Sequence, residues 1–258
     1  MRFIWPGVIF QFFFAGAYFT ILYYLPIYFQ SVKNTTPIES GVRMLAMIIP
    51  LTITAILQGV AFVKIRLATV FWISGGILCA VGSGLLYTMK QDTSIGKWIG
   101  YQILVGAGSG WAFQIATAQA QVNARPEDMS QVTSMVFCKY SNAASIVSRL
   151  TSDIVATTVG GAFFLSAANS AFANRLITTL AVTAPEINPA TVLGTGATEI
   201  RDFFTPPQVP LVIDAYVAGL KLAFAIAASA FAASTLVGFL GTWKKFDVEK
   251  AKNITGCA

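Results

Sequence analysis

The chain has 258 residues, 55% of them hydrophobic and only 11% charged, with a mean hydropathy of +0.68. Soluble domains carry ~25% charged residues, so this composition excludes a water-facing globular protein and points to an all-α integral membrane protein. The net charge of +6 and pI of about 9.3 come from basic residues standing singly between apolar runs. No basic patch with interleaved aromatics is present, which argues against nucleic acid as a partner.

The first span, about Gly7–Phe29, contains no charged side chain and is crowded with aromatic and aliphatic residues. At ~1.5 Å per helical residue it is long enough to cross a hydrocarbon layer ~30 Å thick. A polar turn follows, holding Lys33, Asn34, Thr35, Thr36, Pro37 and Glu39. The second span covers about Arg43–Val63 and includes Pro50, which a membrane helix tolerates when neighbours re-satisfy the freed carbonyl. A third, about Thr69–Met89, and a fourth, about Ile95–Ala118, are rich in glycine. The fifth is expected at about Ile154–Phe172 and the sixth at about Val212–Thr242. Residues 173–211 carry Pro185, Pro189, Pro206, Pro207 and Pro210 and read as an outer loop, with a short interfacial helix near Thr198–Phe204.

With the amino end in the cytoplasm, the inner segments hold Arg2, Lys64, Arg66, Arg125, Lys244, Lys245, Lys250 and Lys252. The outer ones hold Lys33, Lys90, Lys97, Arg175 and Arg201, with Arg43 and Lys221 at outer helix ends. That bias favours both ends inside. Histidine is absent, and Cys79, Cys138 and Cys257 have no metal-ligand or disulfide spacing. With no nucleotide loop and no Ser/His/Asp set, the chain is read as a non-enzyme that needs no cofactor. The first span is too long for a signal peptide.

Three stretches carry a family resemblance: Tyr23–Leu45 (YYLPIYFQSVKNTTPIESGVRML), Gly100–Gln114 (GYQILVGAGSGWAFQ) and Val159–Phe172 (VGGAFFLSAANSAF). In this order they resemble the fungal fourteen-span drug-efflux branch of the major facilitator superfamily, and specifically its last six spans. The resemblance implies a six-helix carboxyl-terminal bundle, residues 1–258 forming a single transmembrane domain. It also implies an amino-terminal half as partner, whose loop signature and antiporter motif this sequence does not contain. Two further departures are Val63–Thr69 (VKIRLAT), without the family's glycine-aromatic turn, and Ala46 where a proline is usual.

The segment 138–156, CKYSNAASIVSRLTSDIVA, interrupts the fifth span with Lys139, Arg149 and Asp153. Each such charge costs ~2.5–3.5 kcal/mol at mid-bilayer on insertion scales. Two readings stay open. One is a retained intron, because Cys138-Lys139-Tyr140 can be encoded with GTAAGT and Leu150-Thr151 with CTAAC. The other is an amphipathic helix on the inner membrane surface.

Polar side chains inside apolar spans should point to partners or to a water-filled cavity. The cavity-lining candidates are Gln11 and Tyr18, seven apart on one face of the first span, with Gln102, Trp111, Gln114 and Asn169. Gly106, Gly108, Gly110, Gly160 and Gly161 are the helix-packing candidates, and Gly106 and Gly110 have the G-x-x-x-G spacing. These glycines fit static close packing of small residues, and the resemblance adds a reading in which the helix rocks beside a transport path.

The resulting expectation is a multi-pass protein of the plasma membrane. It would export small amphipathic molecules (drugs, toxins or fungal secondary metabolites) as a truncated half. The alternative is a non-functional or scaffold remnant of such a transporter.

Overall fold

The computed structural model describes residues 5–65, 67–113, 115 and 144–241, without the side chains of residues 5, 63 and 144–154. Six long helices account for most of these residues: α1 (Trp5–Ser31), α2 (Pro37–Ile65), α3 (Ala68–Tyr87), α4 (Ile95–Ala112), α5 (Ala144–Thr183) and α8 (Val209–Phe239). Two short ones, α6 (Pro189–Gly194) and α7 (Ile200–Phe203), lie between α5 and α8. All but α4 among the long helices contain a stretch long and apolar enough to cross a membrane. The protein is a helical membrane bundle.

The turns explain why the helices alternate in direction. At the α1–α2 corner Asn34 takes a positive φ of 51°, a conformation asparagine tolerates better than most residues. Thr36 and Glu39 then form a reciprocal capping box. The Glu39 amide donates to Thr36 Oγ1 at 3.2 Å and the Thr36 amide to Glu39 Oε2 at 3.4 Å. Pro37 sits at the first helical position, where its missing N–H costs nothing. Inside the bundle, buried hydroxyls that would otherwise lack a partner donate to carbonyls one turn back, as Thr20 does to Gly16 and Ser83 to Cys79.

Packing follows a repeated plan. Helix α1 lies between α5 and α8, α4 lies between α2 and α3, and α3 packs on α8. Exchanging α1 with α4, α2 with α5 and α3 with α8 reproduces these five pairings, but not the direct contact of α5 with α8, and exchanged helices run in opposite directions. The bundle thus approximates two inverted three-helix units, with α5 seated on α8 where α2 has no comparable contact with α3. Its core is aromatic: Phe14 meets Phe231 at 5.0 Å, Phe10 meets Trp72 at 5.1 Å, and Phe29 meets Trp98 at 5.0 Å between ring centroids.

Small residues permit the closest approaches. A Cβ on Gly75 would lie 2.8 Å from the Gly108 carbonyl oxygen, and one on Gly108 would lie 2.7 Å from that of Gly75. Only a pair of glycines lets α3 and α4 touch backbone to backbone there. Helix α2 shows the opposite character, with Ile38 81%, Ile56 66% and Val60 60% exposed. In water such a face would aggregate, whereas in lipid or against another apolar surface it is at rest.

Helix α5 is longer than the apolar run suggests. It begins at Ala144 and runs unbroken to Thr183, so the connection to α8 is 184–208 rather than 173–211. Asn174 and Arg175 are exposed and project from the helix without breaking it, and the stop comes only near Pro185. Residues 138–143 of the charged interruption lie outside the described residues. The connection folds over the bundle end: Val192, Ile200 and Phe204 are buried, and Arg201 Nη2 donates to the Val32 carbonyl at 3.3 Å.

The same end is tied by two contacts between corners. Tyr28 OH donates to the Lys90 carbonyl at 2.8 Å, and Lys33 Nζ donates to the carbonyls of Gln91 at 2.6 Å and Thr93 at 2.8 Å. Burial pulls the Lys33 pKa below the ordinary lysine value, against the upward pull of Asp92. Tyr28→Phe removes the donor while keeping the ring. It should lower unfolding stability in detergent by about 1 kcal/mol, read from the denaturation midpoint.

Candidate functional site

Two helices build the site. Helix α1 offers Phe19, Leu22 and Tyr23, within one turn of each other, and α5 offers Thr157, Thr158, Gly161, Leu165 and Asn169. The helices touch below the site because α5 carries glycine at the crossing. A Cβ on Gly160 would collide with the backbone carbonyl of Phe12, and Gly16 of α1 sits against the Phe164 ring and the Gly160 carbonyl. Beside this crossing Gln11 Nε2 donates to Thr157 Oγ1 at 3.1 Å. Gln11 is 4% exposed and its Oε1 has no hydrogen-bond partner among the described residues.

The helices part along this line to leave a groove. One cavity of about 430 Å³ is walled by Phe19, Leu22, Tyr23, Thr157, Gly161 and Leu165. A second, about 310 Å³, continues it past Tyr23 and Leu165 to Ser166 and Asn169. Aromatic and aliphatic walls with three hydroxyls, an amide and a phenol form a surface for amphipathic molecules. Contact supplies the affinity and a few polar groups fix orientation. No carboxylate, thiol or imidazole lines either cavity, and no group of His, Cys, Asp or Glu fit to hold a metal exists among the described residues.

The candidates read from the sequence fall in different places. Gln11 and Asn169 mark the two ends of the α1–α5 surface. Tyr18 turns instead toward α4, its ring 5.5 Å from that of Phe113. Trp111 packs between α3 and α4, donating its Nε1 hydrogen to Ser74 Oγ at 3.0 Å with its ring 5.2 Å from that of Phe71. Gln102 is fully buried, and neither of its amide atoms has a partner among the described residues. Gln114 lies outside the described residues. Among the glycines, Gly106 is pressed on the Met47 backbone, Gly110 on Leu51 and Thr54, Gly108 on Gly75 and Cys79, Gly160 on Phe12, and Gly161 on the Phe19 ring.

Sequence reasoning did not single out Thr157, Thr158 or Leu165, and it took Phe19 and Tyr23 only as part of the aromatic crowd of the first span. The available signal was the run Thr157-Thr158-Val159-Gly160-Gly161: two hydroxyls next to two glycines in an apolar helix mark a face that meets a neighbour closely and needs polar partners.

No protein-family model matches the chain. Curated relatives do. The "Probable efflux pump gsfJ" of Penicillium aethiopicum is 54% identical over 255 residues, covering 99% of this chain and 43% of the relative. The "MFS-type transporter thnB" of Trichoderma harzianum is 44% identical over 225 residues, 87% of this chain and 36% of the relative. The "Dehydrocurvularin exporter" of Alternaria cinerariae is 32% identical over 251 residues, 96% of this chain and 40% of the relative. The chain therefore spans about two-fifths of the length of the relatives it matches. Matched along nearly its whole length, and folded as a bundle of long apolar helices, the chain belongs to the fungal efflux branch of the major facilitator superfamily.

Proposed function

We propose that this chain supplies one wall of an export route for small amphipathic molecules across the plasma membrane. The observation that carries the reading is the α1–α5 groove, an apolar trough with Thr157, held from behind by the buried Gln11, at one end and Asn169 at the other. A molecule with a greasy body and one or two polar groups is held there by non-directional contact. Loose geometry of that kind suits a family of related products better than one substrate. Small fungal metabolites fit this description, and one relative is named as a dehydrocurvularin exporter.

The facing wall would come from an amino-terminal bundle. The share of the relatives' length that the chain covers supports this, as does the bare apolar surface of α2. Transport would then proceed by rocking of two bundles about a site near the bilayer midplane. Among the described residues no titratable carboxylate lines the groove.

The test is export of a fluorescent amphipathic dye from yeast lacking its own pumps. The chain is expressed alone, or together with the amino-terminal portion of the Penicillium aethiopicum relative. Export is expected only from the pair. Gln11→Leu should reduce it about tenfold, by removing the hydrogen bond that holds Thr157 in the groove wall. Export by the chain alone would remove the partner from the proposal, and unchanged export by Gln11→Leu together with Phe19→Ala would remove the groove.

A further inference from the structure

A larger cavity lies away from this groove. It measures about 620 Å³ and is walled by Tyr87 and Lys90 at the end of α3, Arg175 of α5, and Asp214, Val217 and Lys221 of α8. Helix α3 has 20 residues, ~30 Å at 1.5 Å per residue, which matches the hydrocarbon thickness. Its end at Tyr87 therefore stands at the boundary between hydrocarbon and headgroups, where tyrosine is favoured. Helices α5 and α8 continue beyond that level. Eight residues of α5 follow Arg175 and twelve of α8 precede Lys221, ~12 and ~18 Å of helix respectively. The cavity is thus a ledge at headgroup height, with standing helix on one side and the finished end of α3 on the other.

Its charges come from three separate elements. Asp214 and Lys221 are seven apart and share a face of α8, Arg175 reaches in from α5, and Lys90 from the corner after α3. Among the described residues Lys90, Arg175, Asp214 and Lys221 make no ion pair with one another, although they line one space. Asp92 borders the same cavity but also faces Lys33. The lining is apolar at Val217, between Asp214 and Lys221 on α8, and again at Leu222 just past them, and α3 has exposed Ile77 and Val81 further along.

We propose that this ledge binds the headgroup of a phosphatidylethanolamine-type phospholipid. The phosphate would be taken by Lys90, Arg175 and Lys221, the primary ammonium by Asp214, and the acyl chains would lie on the apolar surface below. Three cations make a strong phosphate site, and arginine adds a planar pair of donors. The carboxylate decides the lipid class: it repels a purely anionic headgroup and accepts hydrogen bonds from an ammonium that still carries protons, which a quaternary choline does not. The inference is independent of what the groove transports.

The test is native mass spectrometry of the purified 258-residue chain in mild detergent. Phosphatidylethanolamine, phosphatidylcholine and phosphatidylglycerol with the same acyl chains are compared with free glycerophosphoethanolamine. Phosphatidylethanolamine should be retained about tenfold over phosphatidylcholine. The double variant Arg175→Gln, Lys221→Gln should lower retention of every phospholipid about tenfold, while Asp214→Asn should abolish only the preference for ethanolamine. Lys64→Gln on α2 is the control and should change nothing, and circular dichroism checks that each variant stays folded. Equal retention by the double variant would overturn the proposal, as would a preference for phosphatidylglycerol. Binding of free glycerophosphoethanolamine as tight as that of the lipid would replace the lipid by a soluble zwitterion, and so overturn it too.

Discussion

Gly160→Val will pry α1 from α5 and lower unfolding stability by about 3 kcal/mol, the upper end of what overpacking costs. The position is unforgiving because the atom met by a new Cβ is a backbone carbonyl, that of Phe12, with the carbonyl carbon 2.9 Å away. A side chain can rotate aside, but a helix backbone must translate as a whole. Translation would also stretch the Gln11–Thr157 hydrogen bond and disturb the aromatic contacts of Phe12 with Phe163 and Phe164. Unfolding in mixed micelles reads the effect. Gly84→Ala and Gly100→Ala are the comparison, since a Cβ there meets open space. Alanine at those two sites should leave stability unchanged or raise it by roughly 0.5–1 kcal/mol, through helix propensity alone. Similar losses at all three positions would refute the close-contact account.

The paired change Gly106→Ala, Gly110→Ala should cost more, about 4 kcal/mol, because both new methyls face α2 one turn apart. One is driven into the Met47 carbonyl and the other into the Leu51 carbonyl and the Thr54 hydroxyl. Helix α2 has few other partners. It lies against α4, makes a minor contact with α1, and touches α3 near its end through Phe62 on Phe71. Displacing it therefore loosens the whole helix, where a mid-bundle helix would be held by its other neighbours. Thiol labelling should report this selectively. Cys79 is buried against the Val105 carbonyl and Ser109 on the α3–α4 side, and should stay unreactive in the paired variant while α2 becomes sensitive to protease. If the variant loses α3–α4 protection at the same rate as α2, the helices do not part where the structure says they do.

The residues differ in how much they disclose on their own. The α1–α2 corner is legible letter by letter: Asn34 for a left-handed step, then Thr36-Pro37-Ile38-Glu39 as a capping box with proline at its first position. Helix α5 is harder. Arg149 and Asp153 break the apolar run early, and Asn174 and Arg175 break it late, yet the backbone stays helical from Ala144 to Thr183. Hydropathy measures which segments prefer lipid, not which are helical, and a helix that stands out of the membrane at either end needs no apolar residues there. The same extension creates the charged ledge, whose residues are far apart in the chain and carry no motif.

The sequence alone determined that the chain lives in a membrane, that its apolar runs are helices, and that they turn back at particular corners. Each of these follows from composition or from contacts a few residues long. Only the tertiary structure decided which helix lies against which, that Gln11 meets Thr157, that Gln102 is sealed in the interior, and that Tyr18 turns toward α4. The reason is physical. These helices are apolar on every side, so no stripe of residues advertises the buried face, and neighbours are chosen by the fit of glycine notches against backbones, a property of paired surfaces rather than of either strand of letters.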